Sequence, residues 1–341
     1  MICPHCATTL TQRERANRTC HYCRKTFALD PKRNSLKLHD VRMKALATRL
    51  SGNTYAYTTT QLWYAAARKQ NRSDAAKKFG IKEGFWFSLF SLVCGGVCTG
   101  AGAARENEVL LFFGGIGLLF ALVIGYVTLD DVLRKKVRMA VSLAEFNRDV
   151  LEPWRMVYQA YPPHMVWETQ VPAPPVPAEP VLAVLSPDGS VLACLAANEV
   201  PARFNVALAP RIDQLPAHAP AVAVLHDASA AGYLLAAKAR AELAPRPVMD
   251  ISPRPRSLIS ARGAVRLRDS APGAKVMKQL AGTLTPPELE WLAKGWWSPV
   301  AALRPSDLIA RVFGASERAS SADPERRAAA AVGFLTWPGA R

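Results

Sequence analysis

The sequence predicts a multidomain chain built from a small β-type zinc ribbon, a two-helix transmembrane hairpin, and a C-terminal α/β domain with a mainly parallel sheet and a helical extension. Three observations predict it. Two CxxC pairs sit near the N-terminus, two apolar runs of spanning length are separated by four residues, and short apolar strands alternate with helical segments beyond residue 181.

The first pair, Cys3-Pro-His-Cys6, is separated by thirteen residues from Cys20-His-Tyr-Cys23. Zn²⁺ takes four ligands in a tetrahedron, and each CxxC turn presents two thiolates to one ion, so Cys3, Cys6, Cys20 and Cys23 are the predicted ligands of a structural Zn²⁺. Iron in a rubredoxin-like site or a pair of disulfides are the alternatives; a reducing compartment disfavours the latter. The motif resembles a zinc ribbon over 1–35. On that resemblance Arg13 to Thr19 forms the turn and strand between the knuckles, Arg24 to Leu29 forms the exit strand, and His5 and His21 face solvent. So small a module draws its folding energy from the metal.

Residues 36–83 follow as a basic helical juxtamembrane segment, with one amphipathic helix over Leu38–Leu50 and another starting near Thr60. The chain carries a formal net charge of +16, and residues 1–83 hold 17 Lys and Arg against 5 Asp and Glu. Basic character so concentrated suits anionic lipid head groups or nucleic acid. A helix-turn-helix is the weaker reading, because the connection through Tyr55 and Tyr57 is long.

The hairpin is expected over 84–129, with spans 85–104 and 109–129. Neither run carries a charged side chain, and about 20 residues cross a bilayer as a helix. The alternative is a buried hairpin of a globular domain. Lys77, Lys78 and Lys82 before the first run, and Arg134, Lys135, Lys136 and Arg138 after the second, predict a two-span protein of the cell membrane with both termini cytoplasmic. No apolar segment in the first thirty residues reads as a cleaved signal. Gly96 and Gly100 make a small-xxx-small pair that fits packing within the hairpin or homo-oligomerisation. Cys94 and Cys98 read as packing residues.

A cytoplasmic helix is predicted over 130–161. Seven prolines in 162–180 then predict an extended linker. Over 181–253 the strands Val181–Leu185, Asn205–Leu208, Ala221–Leu225 and Val248–Ile251, with helices between them, indicate a Rossmann-like parallel sheet buried on both faces. Ligands of such sheets bind at the carboxyl ends of the strands, which directs attention to Asp188 in the first loop and to His226, Asp227 and Ser229 in the third. These four are the candidate catalytic residues. Helices fill 254–315, and 316–341 reads as a flexible tail.

The stretch Val224-Leu225-His226-Asp227 resembles the strand-end acidic loop of toprim domains, which use clustered carboxylates to hold Mg²⁺. Here Asp188 stands where that family has Glu, and Ser229 where it has a second Asp, so the resemblance implies a depleted, non-catalytic site. Together with Phe27-Ala28-Leu29-Asp30-Pro31-Lys32 and the paired apolar helices, the chain resembles multidomain membrane proteins of high-GC actinobacteria carrying an N-terminal zinc ribbon. That resemblance implies architecture and no activity. The expected function is a membrane-anchored cytoplasmic scaffold or sensor, whose partners are the lipid bilayer and other proteins. The alternative is a membrane-tethered nucleic-acid-binding or processing factor acting through Asp227.

Overall fold

The computed structural model describes residues 1–77, 81–104, 108–133 and 136–322. The N-terminal 35 residues form two knuckles without regular strands. Each closes on an antiparallel bridge, Ile2 with Thr9 and Thr19 with Thr26. Between them Arg13–Arg18 is a 3-10 turn, so the strand expected there is absent. Arg15 is buried in that turn beside Asp30 at 3.5 Å, which ties the backbone into a coil.

The exit from the knuckles is fixed by two buried polar side chains. Asn34 donates to the carbonyls of Asp30 and Leu38 and accepts from the Leu38 N–H at 2.8 Å. Asp40 opens helix α1 (Asp40–Ser51) and accepts from the Ala28 and Leu29 N–H groups at 2.8 and 2.7 Å and from the Tyr158 hydroxyl. A carboxylate in the first turn also suits the helix dipole. After the Gly52 cap, the short strand β1 (Tyr57–Thr58) leads into α2 (Thr59–Lys77).

Helices α3 (Ile81–Ala104) and α4 (Glu108–Leu133) pair along their length. Backbones meet at glycines: a Cβ on Gly114 would lie 2.3 Å from Thr99 Oγ1, and one on Gly95 would lie 2.8 Å from the Leu118 nitrogen. Gly96 and Gly100 take no part, since a Cβ on either meets open space. The transmembrane expectation is overturned. Among the described residues no helix is long and apolar enough to cross a membrane. The two-span, cell-membrane placement with both termini cytoplasmic is corrected with it. The loop Arg105 to Asn107 and the flanking Lys78, Arg134 and Lys135 lie outside the described residues, as does the tail from 323.

The expected continuation of α4 through Ala160 is interrupted. Val137 bridges to Arg268, and a new helix is started by the Ser142/Glu145 capping box: α5 (Leu143–Phe146), a π turn (Asn147–Leu151) and α6 (Glu152–Tyr158). Its Phe146, Val150, Leu151 and Trp154 share a core with Leu29, Leu36, Met43, Leu50, Tyr57 and Leu62. The proline-rich segment is a strap rather than a free spacer. Strand β2 (Met165–Val166) pairs parallel to β1, Glu168 accepts from the Thr60 N–H, and Pro174 to Pro177 lie along the α7 and α8 ends described below.

The α/β unit contains β3 (Leu182–Leu185), α7 (Gly189–Ala197), α8 (Val200–Phe204), β4 (Val206–Ala209), β5 (Val222–Val224), α9 (Ala230–Glu242) and β6 (Val248–Asp250). The four strands are parallel in the order β4-β3-β5-β6. Alternate side chains face opposite layers. Leu182 and Val184 meet α7 and the later helix α13 (Pro305–Ala322), whereas Ala183 and Leu185 join Ala236 and Ala239 of α9. Two covered faces explain the unbroken apolar strands. The extension packs α10 (Pro255–Ser260), α11 (Ala274–Leu280) and α12 (Pro286–Ala293) beside α9, and strand β7 (Leu267–Arg268) pairs antiparallel with β8 (Trp296–Trp297).

Asp40→Ala strands two buried N–H groups and is expected to cost about 3 kcal/mol in urea unfolding at pH 7, with Tyr158→Phe costing about 2 kcal/mol. Losses below about 0.5 kcal/mol for both would show that Asp40 does not fix the junction.

Candidate metal centre and strand-end crevice

The two knuckles bring the four thiols together. All four Sγ atoms lie within 4.8 Å of one another, and Cys3 to Cys23 and Cys6 to Cys20 are both 3.8 Å apart. A tetrahedron with Zn–S bonds of about 2.3 Å has edges of about 3.8 Å, so the cluster has the size of one metal ion. Each knuckle repeats one backbone plan. Ala7 N–H donates to the Cys3 carbonyl and Arg24 N–H to the Cys20 carbonyl, with Ala7 at φ 59° and Arg24 at φ 60°. Cys3 and Cys20 are buried over Leu10 and Phe27, while Cys6 is exposed and Cys23 half-buried. As a free thiol Cys3 is pushed up to about 11 by burial, and Cys6 is pulled down to about 6 by its contacts with Thr8. The four cysteines could hold a metal ion, and no other such group of His, Cys, Asp or Glu occurs among the described residues. His5 and His21 are both exposed; His5 Nε2 lies 2.9 Å from the Thr26 carbonyl.

In the sheet, chain order reverses between β3 and β5, and a crevice at their carboxyl ends is where such folds take ligands. Asp188 and Asp227 both come to this edge. Asp188 caps α7, its Oδ1 accepting from the Ser190 and Val191 N–H groups at 2.9 and 3.3 Å. Asp227 Oδ1 accepts from the Val300 N–H at 2.8 Å. Burial pushes both carboxyls above the usual range; the Val300 N–H pulls Asp227 back, the Asp188 charge pushes it further, and the α7 N–H groups pull Asp188 back. The chain covers part of this edge, while Asp227 and Ser229 line a cavity of about 330 Å³ together with Asp269, Pro272, Trp296 and Trp297. Tyr64 of α2, whose phenol is raised by burial and by the Asp227 and Asp188 charges, packs against the core that holds Val300 and Ala301, Gln61 Nε2 donates to the Leu303 carbonyl, and the Thr58 and Ser190 hydroxyls lie 2.6 Å apart.

His226 and Ser229 are not assembled into a catalytic pair. His226 is fully buried, with Nδ1 2.6 Å from the Asp227 carbonyl and Nε2 3.5 Å from Asp250 Oδ1. Its ring packs edge-on against Tyr233 at 4.9 Å and lies on Gly232, where a Cβ would come 2.3 Å from Nδ1. Glycine is required there by the close approach. Ser229 caps α9, its Oγ accepting from the Gly232 N–H at 3.1 Å. Burial pushes Asp250 up, but His226 and the Ser252 N–H outweigh it and leave the carboxyl at about 2.

Sequence reading missed Asp250, Ser252 and Tyr64. Asp250 ends the apolar strand Val248-Met249, a strand-end acid like Asp227, and that was the available signal. Tyr64 gives no such signal, because it comes from a different module.

No protein-family model matches the chain, and neither the curated proteins nor the solved structures yield a match. The actinobacterial and toprim resemblances therefore gain no support, and the four-cysteine cluster stands on its geometry.

Cys20→Ser is expected to reduce bound metal from one ion per chain towards zero and to unfold the knuckles, read by metal analysis and by proton exchange at the Phe27 amide. Retention of a full equivalent would place the metal elsewhere. For Asp250, a folded pKa of about 2 against 3.8 unfolded supplies about 2 kcal/mol above pH 3.8, and this is lost as pH falls towards 2. Asp250→Asn should thus lower amide protection of Val222–Val224 by that amount at pH 7 and make little difference near pH 2. Asp188 and Asp227, with raised values, act in the opposite sense, favouring the fold most at low pH and less as pH rises above 3.8.

Proposed function

We propose that this chain is a non-catalytic binding scaffold. In it a structural Zn²⁺ held by Cys3, Cys6, Cys20 and Cys23 in a ribbon-like module presents an interaction surface, rigidly joined to an α/β domain. One observation carries the reading: the polar groups at the sheet's carboxyl edge serve the fold. Asp188 caps one helix, Ser229 caps another, Asp227 holds the Val300 turn, and His226 is sealed against Gly232 and Tyr233. A carboxylate committed to a backbone N–H has less freedom to hold Mg²⁺ and a phosphate. Zinc supplies folding energy here, since the knuckle core is only Cys3, Leu10, Cys20 and Phe27 with Met1 and Cys23 at its edge.

The reading that competes with it is a nucleic-acid-processing factor working through Asp227. The proximity of Asp188 and Asp227 at the switch point favours it, yet the two acids lack a third ligand among the described residues. Partners of the scaffold include proteins, nucleic acid or a second copy of the chain.

Asp227→Asn keeps an oxygen for the Val300 N–H and should leave stability within about 1 kcal/mol, whereas Asp227→Ala should cost about 1–3 kcal/mol. Crosslinked partners recovered from the native cell should be retained by Asp227→Asn and lost with Cys20→Ser. A Mg²⁺-dependent nuclease or phosphoryl-transfer activity abolished by Asp227→Asn in a folded chain would overturn the scaffold reading.

A further inference from the structure

The two knuckles share a backbone plan but differ in what they present. In the first, His5 bonds across to the Thr26 carbonyl and its ring lies 6.3 Å from Tyr158 of α6. In the second, His21 and Tyr22 both point outward, and Tyr22 is 56 % exposed, a large aromatic surface to leave in water. The ring is nevertheless held in place. Its hydroxyl donates to Glu14 Oε1 at 2.9 Å, its face meets the His21 ring edge-on at 5.6 Å, and Glu14 is itself anchored by the Thr11 N–H at 2.7 Å.

Cations lie close to it along the chain. The His21 N–H donates to the Glu14 carbonyl at 2.9 Å, which brings the turn carrying Arg13 beside the knuckle tip. Arg24 and Lys25 follow Tyr22 within three residues. All three are exposed and none pairs with an acid among the described residues. Glu14, the acid of this face, is held below the usual carboxylate range by the Thr11 and Tyr22 hydrogen bonds and keeps its charge, so three cations stand against one carboxylate. A pre-positioned aromatic ring flanked by free cations matches the way single strands are bound, with a base stacked on the ring and neighbouring phosphates neutralised.

Resting on the scaffold reading, we propose that the second knuckle is a stacking platform for single-stranded nucleic acid, on which Tyr22 takes a base and Arg13, Arg24 and Lys25 take flanking phosphates. The ring supplies affinity without sequence choice, because every base has a π face. The cations supply the salt dependence.

The test is fluorescence anisotropy of the full chain with labelled (dT)20 and U20 at 50 to 300 mM NaCl, the two probes separating DNA from RNA. Tyr22→Ala should weaken binding about tenfold, within the range of one lost stack, while Tyr22→Phe, which keeps the π face and loses only the tie to Glu14, should fall between wild type and Tyr22→Ala. Arg24→Ala with Lys25→Ala should flatten the slope of log K against log salt by about 1.4, at about 0.7 per phosphate contact. Bound metal of one equivalent in each variant shows that the knuckles are intact. Absence of binding to both probes, or binding that Tyr22→Ala leaves unchanged, overturns the platform. So does binding to phosphatidylserine vesicles that (dT)20 and U20 fail to compete. In those cases partner retention by Asp227→Asn and its loss with Cys20→Ser still stand or fall separately, so failure of the platform is distinguishable from failure of the scaffold.

Discussion

The carboxylate of Asp40 lies fully buried where three parts of the chain meet: the exit of the metal knuckles, the start of α1 and the end of α6. Ala28 and Leu29 leave the knuckles with N–H groups that no strand pairs, and a buried unpaired N–H costs about 1–3 kcal/mol. Asp40 satisfies both, and its remaining acceptor capacity draws in Tyr158 from more than a hundred residues away. Tyr158 then stands beside His5 and under Lys44, whose ammonium lies 5.2 Å from the ring centroid. The geometry of a few ångströms thus sets the orientation of the whole metal module against the helices. Without such a junction a module with so small a core would be a tethered bead.

The second junction lies at the crevice of the sheet. Backbone atoms of Ala56 bond Asn198 in both directions, 2.9 Å each way, and the Thr58 hydroxyl meets Ser190. Cys194, pushed up to about 12 by burial, is part of the same seam and is a packing thiol rather than a nucleophile. These bonds place α2 over the carboxyl ends of β3 and β5, where Rossmann-like sheets otherwise receive ligands. On the α7 side, an edge that in an open sheet would face solvent is here an interface between modules, while Asp227 still lines a cavity beside Trp296. The chemistry of Asp188 and Asp227 is spent on helix caps and on holding the Val300 turn, and what the arrangement gains is rigidity between the metal end and the α/β end.

How much of this could be read beforehand depends on how local the determining interaction is. The parallel strands were legible because both faces are covered, so Leu182-Ala-Val-Leu and Val222-Ala-Val print as unbroken apolar runs. The CxxC pairs were legible because knuckle geometry is a property of six residues. The membrane hairpin is the expectation that fails: apolar composition alone suggests it, whereas the pairing of the two helices through Gly95, Gly114 and Gly117 is not a compositional property, and among the described residues no helix is long and apolar enough to cross a membrane. The proline segment was expected to be a spacer because proline favours extended backbone, and it is extended; only the distant Thr60 and Asn205 turn it into a strap. His226 was weighed as chemistry, and Gly232, six residues on, is the local sign that the ring is packed instead.

Near-symmetry with a single broken element is also informative about the metal module. Cys3 and Cys20 occupy equivalent positions, with equivalent turns and equivalent left-handed residues, so the cysteine cluster itself does not distinguish the knuckles. Their surroundings do. The first is pressed towards α6, where His5 reaches Thr26 and Tyr158, while the second is turned away from the body with His21 and Tyr22 in water. Glu14 is the residue that makes this more than an accident of docking, since its two oxygens and its carbonyl engage Thr11, Tyr22 and His21 at once. An exposed tyrosine that needed only to avoid the core would be free to rotate. One that is clamped on a turn of the cysteine knuckle carries its ordering entropy before any ligand arrives, which favours the contribution of a single ring to binding.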